Sequence, residues 1–257
     1  GIIVLTIAIL PLLGVGGMEL FASEAPGPTK DKIHPRIKET AKRLWLIYFS
    51  LTVVQCIFLM FAGMDFYDAI NHALTTMSTG GFSTKQASIA HFDKPIIQYI
   101  IIVFMFIAGT NFTLLYFGFK LKFKKFWEND EFRWYLGAVA GLTAVIVGAL
   151  YLDNLHNGSL EESFRSVLFQ VVSIITTTGY ATTDFTTWGS FIPFIFFLLL
   201  FTGASAGSTS GGMKLVRIIL LMKNGFLEFK RRLHPNAIVP VTLNNQSVSP
   251  KIIYNLL

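Results

Sequence analysis

Two short stretches of an otherwise apolar chain combine glycine with hydroxyl residues. The first, STGGFST, covers residues 78–84, and the second, TTTGYAT, covers residues 176–182. Glycine permits backbone conformations that turn successive carbonyls toward one point, and threonine and serine add hydroxyl acceptors. Such a concentration of oxygen atoms is suited to replacing the hydration shell of a cation. We call these stretches the first and second glycine loops.

The two glycine loops align without a gap at a spacing of 98 residues. The aligned pairs include Gly81 with Gly179, Phe82 with Tyr180, and Thr84 with Thr182. Farther along, FIAGTNF at 106–112 falls against FTGASAG at 201–207. A single copy of such a loop would be read as a tight turn. Internal repetition instead predicts one structural unit that occurs twice.

Composition places the chain among membrane proteins. Hydrophobic residues make up 53% of its 257 residues and charged residues only 14%, with a mean hydropathy of +0.57. A soluble domain carries about 25% charged residues, so this balance favours a membrane environment. The single cysteine, Cys56, excludes a disulfide framework and is expected to be a small buried side chain.

Four apolar runs approach the ~20 residues that a membrane-spanning helix needs. They cover residues 44–62, 96–119, 134–152 and 191–222. The last of them is interrupted by GASAGSTSGG at residues 203–212, which we call the Gly/Ser segment.

Two shorter helical segments, 65–77 and 160–175, lie between these runs and lead into the glycine loops. Asp65 and Asp68 mark the start of the first, and Ser159 with Glu162 forms a capping-box pattern at the second. At 1.5 Å per residue the first is about 20 Å long, too short to cross the hydrocarbon. We therefore expect helices that enter the membrane and stop part-way.

Charge placement predicts the orientation. Lysine and arginine cluster in residues 30–43, 120–133 and 214–232, which together hold 17 of the 21 basic residues. Such clusters face the cytoplasm, so the short helices are expected to enter from the opposite side, where acidic residues predominate. Because every basic cluster adjoins a predicted span, the net charge of +6 is a topology signal, and nucleic-acid binding is not predicted.

The Gly/Ser segment has a composition that disfavours a straight helix. One interpretation is a face of small residues for close helix packing, and the other is a non-helical loop inside the membrane. The spacing of a phosphate-binding loop is not met, because Met213 precedes Lys214 and Leu215 follows it. Lys214 shares a helical face with Arg217. Both could reach the membrane interface, or Lys214 could help to set the closed state of a gate.

These motifs resemble those of the bacterial potassium-uptake proteins of the Trk/Ktr/HKT superfamily, and most of all the TrkH family. The resemblance rests on TTMSTGGFST, ITTTGYATTDF and TGASAGSTSGGMKLVRIILL and covers essentially the whole chain. It implies an all-α integral membrane fold of repeated units, each with a first helix (M1), a pore helix, a filter loop and a second helix (M2). Four such units in one chain surround one pore in this superfamily.

The resemblance also divides the chain. Residues 1–22 would be the last span of a first repeat, 23–43 a cytoplasmic linker, 44–125 the second repeat, 126–232 the third repeat with a broken M2, and 233–257 a linker and the start of a fourth repeat. Two of the four filter strands would then lie outside this chain.

By the same resemblance, the glycine loops would line potassium sites, mostly through backbone carbonyls, with Phe82 and Tyr180 packed behind them. The implied filter residues are Ser78, Thr79, Gly80, Gly81, Phe82, Thr177, Thr178, Gly179 and Tyr180. The implied gate below the filter consists of Gly203, Ala204, Ser205, Ala206, Gly207, Ser208, Thr209, Ser210, Gly211, Gly212 and Lys214.

The function implied is potassium uptake across the bacterial inner membrane, with potassium as the transported ion and no cofactor or catalytic residue. A homodimer, membrane lipids and a cytoplasmic nucleotide-binding subunit of the TrkA/RCK type are the implied partners, the last docked on basic loops 120–133 and 223–232. One alternative is a non-conducting scaffold or regulatory subunit that keeps the fold. A membrane enzyme is less supported, because the sequence offers no nucleophile with its base and no metal-ligand spacing. Asp184, just after the second glycine loop, could attract cations or cap the loop.

Overall fold

Two consecutive helical units make up the part of the chain that the computed structural model describes, which is residues 37–153, 155, 158–233, 240–244 and 246–248. The span expected at 1–22 and the linker up to residue 36 lie outside the described residues, as do residues 234–239, 245 and 249–257 of the expected linker and fourth repeat at 233–257. The helices are α1 (Ile37–Phe61), α2 (Phe66–Met77), α3 (Pro95–Ala108), α4 (Phe112–Phe119), α5 (Lys124–Glu128), α6 (Asp130–Leu152), α7 (Leu160–Ile175), α8 (Phe191–Leu199) and α9 (Leu215–Leu233). Short 3₁₀ turns cover Ser88–His91 and Phe185–Thr187, and strands β1 (Thr242–Leu243) and β2 (Gln246–Ser247) pair antiparallel.

Each unit consists of a long helix, a short helix that ends at a glycine loop, and a second apolar helix. In the first unit α1 packs against α2 and α3, and in the second unit α6 packs against α7, which also meets α8. The segments predicted at 65–77 and 160–175 are α2 and α7. The Ser159 hydroxyl accepts the Glu162 amide at 3.2 Å, as the capping pattern predicts, whereas Asp65 occupies its cap position without a side-chain hydrogen bond.

Among the described residues, two helices are long and apolar enough to cross a membrane, Lys42–Phe61 within α1 and α6. The prediction of one continuous span over 96–119 is wrong, because α3 and α4 are bent by 109° relative to each other. α3 ends at Gly109, and the Asn111 side chain starts α4 afresh by accepting the Thr113 amide at 2.8 Å. An asparagine cap competes with continuation of the preceding helix, and it produces the break here.

The run predicted as a span over 191–222 is divided as well. α8 has nine residues, about 13 Å of helix, and the chain then stays non-helical until Leu215. The Gly/Ser segment is therefore a loop, and the interpretation as a helix-packing face is wrong. α9 runs beyond the predicted end because Leu227 continues the apolar face that Val216 and Leu220 begin.

One apolar core joins the two units. Fully buried members include Leu59 and Ala69 from the first unit and Tyr135 and Phe169 from the second. Tyr135 stacks on Phe106 with 4.5 Å between ring centroids, which ties the first helix of one unit to the second helix of the other.

A buried arginine adds a polar connection between the units. The Arg165 guanidinium in α7 donates to Gln98 of α3 at 2.6 Å and to Glu161 at 2.9 Å. Arg165 is only 9% exposed, and a buried charge is tolerated only when it is paired and hydrogen-bonded. The contact therefore fixes α3 against the short helix of the second unit.

Two serines at helix starts provide a matched test of this local structure. Ser159 bonds the Glu162 amide, whereas Ser190 occupies the cap position of α8 without a side-chain hydrogen bond. We expect Ser159→Ala to lower the free energy of unfolding by about 1 kcal/mol, the usual cost of a lost N-cap, and Ser190→Ala to leave it nearly unchanged. Thermal unfolding in detergent measures both, and equal losses in the two variants would contradict the assignment.

Candidate ion-conduction site

Both short helices end in the same turn, with a threonine in the left-handed conformation. The turn of α2 is closed by amide-to-carbonyl bonds from Thr79 to Thr76 at 3.0 Å and from Gly80 to Thr75 at 2.8 Å. The turn of α7 has the equivalent bonds, from Thr177 to Ile174 and from Thr178 to Ser173, both at 2.9 Å. This is the Schellman arrangement, whose left-handed position is usually glycine. Here that position has φ of 52° at Thr79 and 56° at Thr177.

Positive φ recurs two residues later in each loop, at Gly81 with 66° and at Gly179 with 81°. Left-handed residues at alternate positions allow a loop to turn its carbonyls toward one side, as a carbonyl-lined ion path requires. A β-branched residue at positive φ is an outlier that costs about 1–2 kcal/mol. Its occurrence at equivalent positions of both units indicates a constraint that the surrounding structure enforces.

Each short helix holds its own glycine loop through two polar side chains. In the first unit, the Thr75 hydroxyl donates to the Phe82 carbonyl at 2.9 Å, and His72 Nε2 bonds the Ser83 hydroxyl at 2.9 Å. In the second unit, the Ser173 hydroxyl donates to the Tyr180 carbonyl at 2.7 Å, and the Gln170 amide donates to the Thr183 carbonyl at 2.9 Å. These side chains occupy equivalent positions, 98 residues apart.

The two glycine loops touch each other at their centres. A side-chain carbon at Gly81 would lie 1.8 Å from the Thr178 carbonyl oxygen, so only glycine fits there. A side-chain carbon at the equivalent Gly179 would have no described atom within 4 Å. The first loop therefore depends on glycine for space as well as for φ, whereas the second depends on it for φ alone.

Tyr180 packs behind the loops, between the two units. It is 1% exposed, its hydroxyl lies 2.5 Å from the Thr75 hydroxyl, and its ring centroid is 5.9 Å from that of His72. Phe82, in contrast, is 77% exposed among the described residues, so its packing behind the filter stays a prediction. Tyr180 reaches back to the short helix of the preceding unit, and no described element occupies the corresponding position beside Phe82.

The Gly/Ser segment lies directly against the left-handed threonine of each loop, Thr79 and Thr177. The Thr79 hydroxyl donates to the Thr209 carbonyl at 2.8 Å, and the Gly211 amide donates to the Thr177 hydroxyl at 2.6 Å. The two left-handed threonines thus bond the segment with opposite polarity, one as donor and one as acceptor. The structure brings the predicted filter and the predicted gate into direct contact.

The segment is also bonded to the break between α3 and α4. The Ser205 amide donates to the Gly109 carbonyl at 3.0 Å, the Thr209 amide to the Ala108 carbonyl at 3.4 Å, and the Phe112 amide to the Gly207 carbonyl at 3.1 Å. The segment closes on itself through the Gly203 amide, which donates to the Met213 carbonyl at 2.7 Å. Backbone groups that the two helix breaks release are thereby paired with each other.

Two charged side chains also contact the segment. The Lys214 ammonium donates to the backbone carbonyl of Ser210 and, at 3.3 Å, to its hydroxyl. Glu131, at the start of α6, accepts the Ala206 amide at 2.6 Å. The sequence analysis selected Lys214 but missed Glu131, because a carboxylate beside a basic cluster carries no motif.

Acidic residues near the loops have different roles. Asp184 accepts the Thr186 hydroxyl at 2.6 Å and the Thr186 amide at 2.9 Å, and these bonds lower the pKa of its exposed carboxyl. Asp184 is therefore a cap for the following 3₁₀ turn that also presents a negative charge. Asp68 accepts the Thr84 hydroxyl at 2.6 Å and pairs with Lys85 at 3.2 Å, so it fixes the first loop. Among the described residues, His, Cys, Asp and Glu form no group of three that could hold a resident metal ion.

Comparison with known proteins gives consistent matches along the chain. Residues 1–257 match the TrkH family, described as a cation transport protein. The Trk system potassium uptake protein TrkH of Escherichia coli strain K12 is 46% identical over 257 residues, covering 98% of this chain and 53% of the relative. The Trk system potassium uptake protein TrkI of Halomonas elongata is 34% identical over 257 residues, covering 98% and 51%.

A solved structure agrees with the fold. The crystal structure of the potassium transporter TrkH from Vibrio parahaemolyticus superposes with a TM-score of 0.82 at 38% sequence identity, covering 99% of this chain and 52% of that one. The chain thus spans about half the length of the relatives it matches. Because the family match extends over residues 1–257, this chain belongs to the TrkH family of membrane cation transport proteins.

Proposed function

We propose that this chain supplies two strands of a potassium-selective filter and the gate beneath them, in a protein that takes up potassium across the bacterial inner membrane. The observation that carries the proposal is the contact between two equivalent loops, each with left-handed residues at alternate positions and each following a short helix. The names of the relatives as potassium uptake proteins support potassium as the transported ion.

The electrostatics of the loops favour a cation. α2 and α7 both end at a glycine loop, so the negative ends of their dipoles point to the same place. Carbonyl oxygens of Thr79, Gly80, Thr177 and Thr178 would replace the hydration shell of the ion. The lowered pKa of Asp184 keeps a negative charge beside the outer end of the second loop, which raises the local cation concentration.

The Gly/Ser segment is suited to act as the gate. It lies on the threonine end of both loops and is held there by Thr79 and Thr177. Ion passage requires the segment to leave these hydroxyls. Each of these two threonines holds the segment by one hydrogen bond, which contributes about 0.5–1.5 kcal/mol net. A modest input of free energy can therefore release the segment from the two hydroxyls. Lys214, which bonds Ser210, would bias the closed arrangement.

Membership of the TrkH family predicts which further repeats and partners would surround this chain in the full-length protein. Four repeats around one pore would place a further short helix beside the exposed Phe82 and further strands beside Gly179, where the described residues leave open space. The relatives are named as proteins of a Trk system, which supports a cytoplasmic regulatory subunit of the TrkA type. Exposed lysines at 122, 124 and 125 would face it, and exposed Phe226 and Phe229 of α9 would face lipid or a second copy in a homodimer.

Selective uptake tests the filter. In a full-length transporter that contains this sequence, expressed in cells without other potassium transporters, we expect Gly81→Ala to abolish potassium-dependent growth, because its side chain would collide with the Thr178 carbonyl. Gly179→Ala should also reduce uptake and weaken discrimination against sodium, because it adds the strain of a left-handed alanine, about 1–2 kcal/mol, at a position beside which a further filter strand is proposed. Equal uptake by both variants and the unmodified protein would contradict the filter assignment and favour a non-conducting scaffold.

The threonine contact tests the gate. Thr177→Val keeps the size and branching of the side chain but leaves the Gly211 amide without its acceptor, whereas Thr177→Ser keeps the hydroxyl. We expect the valine variant to raise the potassium leak severalfold, since the lost hydrogen bond contributes about 0.5–1.5 kcal/mol to the closed arrangement. The serine variant should remain near the unmodified level. Potassium efflux from proteoliposomes measures the leak, and identical leaks in the two variants would show that the hydroxyl does not hold the segment.

A further inference from the structure

α6 begins with two adjacent carboxylates that bind different parts of the molecule. Glu131 is 6% exposed, and its Oε1 accepts the Ala206 amide of the Gly/Ser segment at 2.6 Å. The Val216 amide in the first turn of α9 also bonds this carboxylate, and Lys214 lies near enough to interact with it electrostatically. One side chain therefore joins α6, the Gly/Ser segment and α9.

The surroundings of Glu131 explain why a carboxylate can be buried there. It lies in the first turn of α6 and at the first turn of α9, so two helix amino ends favour its negative charge. It also satisfies an amide of α9 that the helix itself leaves unpaired. A carboxylate is stable in a buried position only when its hydrogen bonds are in place. Displacement of the Gly/Ser segment would remove the bond from the Ala206 amide, which is one of those that stabilise Glu131.

Asp130, the preceding residue, binds the β1–β2 hairpin instead. Its amide donates to the Asn244 side chain at 2.7 Å, and its carboxylate accepts the Asn244 amide at 3.1 Å. Lys223 of α9 donates to the same carboxylate at 3.1 Å and to the Thr242 carbonyl at 3.0 Å. The hairpin is thus attached to the same helical turn that holds the Gly/Ser segment.

Apolar contacts also join the hairpin to the Gly/Ser segment and to α9. One buried cluster contains Ala206 of the Gly/Ser segment, Val216 and Leu220 of α9, and Val241 and Leu243 of the hairpin. Movement of the hairpin relative to α6 would therefore disturb both the apolar surroundings of Ala206 and, through Asp130, the turn that positions Glu131.

We propose that Glu131 is the positioning residue that keeps the Gly/Ser segment against the glycine loops, and that the β1–β2 hairpin controls this hold through Asp130. The inference rests on the proposed function of the segment as a gate. A cytoplasmic input that displaces the hairpin would weaken the Glu131 contact and free the segment from Thr79 and Thr177. Transport would then be regulated through the hairpin with no change in the filter.

Basal potassium flux tests the role of Glu131. The full-length transporter and its variants are reconstituted alone in proteoliposomes, and the flux is compared at equal protein content. We expect Glu131→Ala to raise basal flux by about tenfold, the effect of losing a hydrogen bond to a charged group, with the potassium-to-sodium ratio unchanged. Glu131→Gln, which retains one acceptor oxygen, should give an intermediate rise. The matched control is Glu162→Gln, because Glu162 is also a carboxylate in the first turn of a helix but is exposed.

The direction of the change separates positioning from a general structural role. A residue needed only for folding would give less active protein, so unchanged or reduced flux in Glu131→Ala, with a conducting unmodified protein, would overturn the inference while leaving the proposed function intact. Asn244→Ala should raise flux by a smaller factor, about threefold, by removing a neutral hydrogen bond, and no rise would exclude control by the hairpin. Absence of potassium flux in the unmodified protein and in Thr177→Val would contradict the proposed function and this inference together.

Discussion

Every backbone amide and carbonyl inside a membrane must find a partner within the protein, and the architecture follows from this requirement. Both second helices are interrupted, at 109–111 and at 200–214, and each interruption releases groups that hydrocarbon cannot solvate. The structure satisfies them by pairing one break with the other, through Ser205, Thr209 and Phe112. The Gly/Ser segment can therefore remain non-helical at that depth. Its position against the glycine loops is a consequence of where α3 ends.

The two helical units share the same local structure but do not make the same contacts with other elements. The two units share the turn that ends the short helix, the left-handed threonine and the polar pair that holds the loop. They differ where the units meet other elements: Thr79 donates to the Gly/Ser segment, and Thr177 accepts from it. One repeated framework thus presents two complementary hydrogen-bonding groups to a single segment, which gives that segment one preferred register between the loops.

Sequence patterns predicted the parts of the fold that depend on local information. The short helices, the glycine loops and the non-helical alternative for residues 203–212 follow from caps, glycine content and the 98-residue repeat. The break at Asn111 was missed because one asparagine hardly lowers the average hydropathy of the apolar run around it. The packing of Phe82 stays a prediction, because within the described residues its side chain is exposed. Glu131 could not be found from its own surroundings in the sequence, since its partners Ala206 and Val216 lie far along the chain. His72 and Gln170 could have been found, because the repeat aligns them.

The contact of Tyr180 with Thr75 bears on how the protein is made. The first glycine loop leaves the ribosome 98 residues before the second, yet it is closed by Thr178 and Tyr180 of that second loop. At about 5–20 residues per second, the first loop waits roughly 5–20 s before its partner is synthesised. During that interval α2 is complete but its contacts with the second loop are missing, so α2 and its loop can reach their final packing only after the second unit has been synthesised. The order of synthesis is therefore part of how the two glycine loops are brought together.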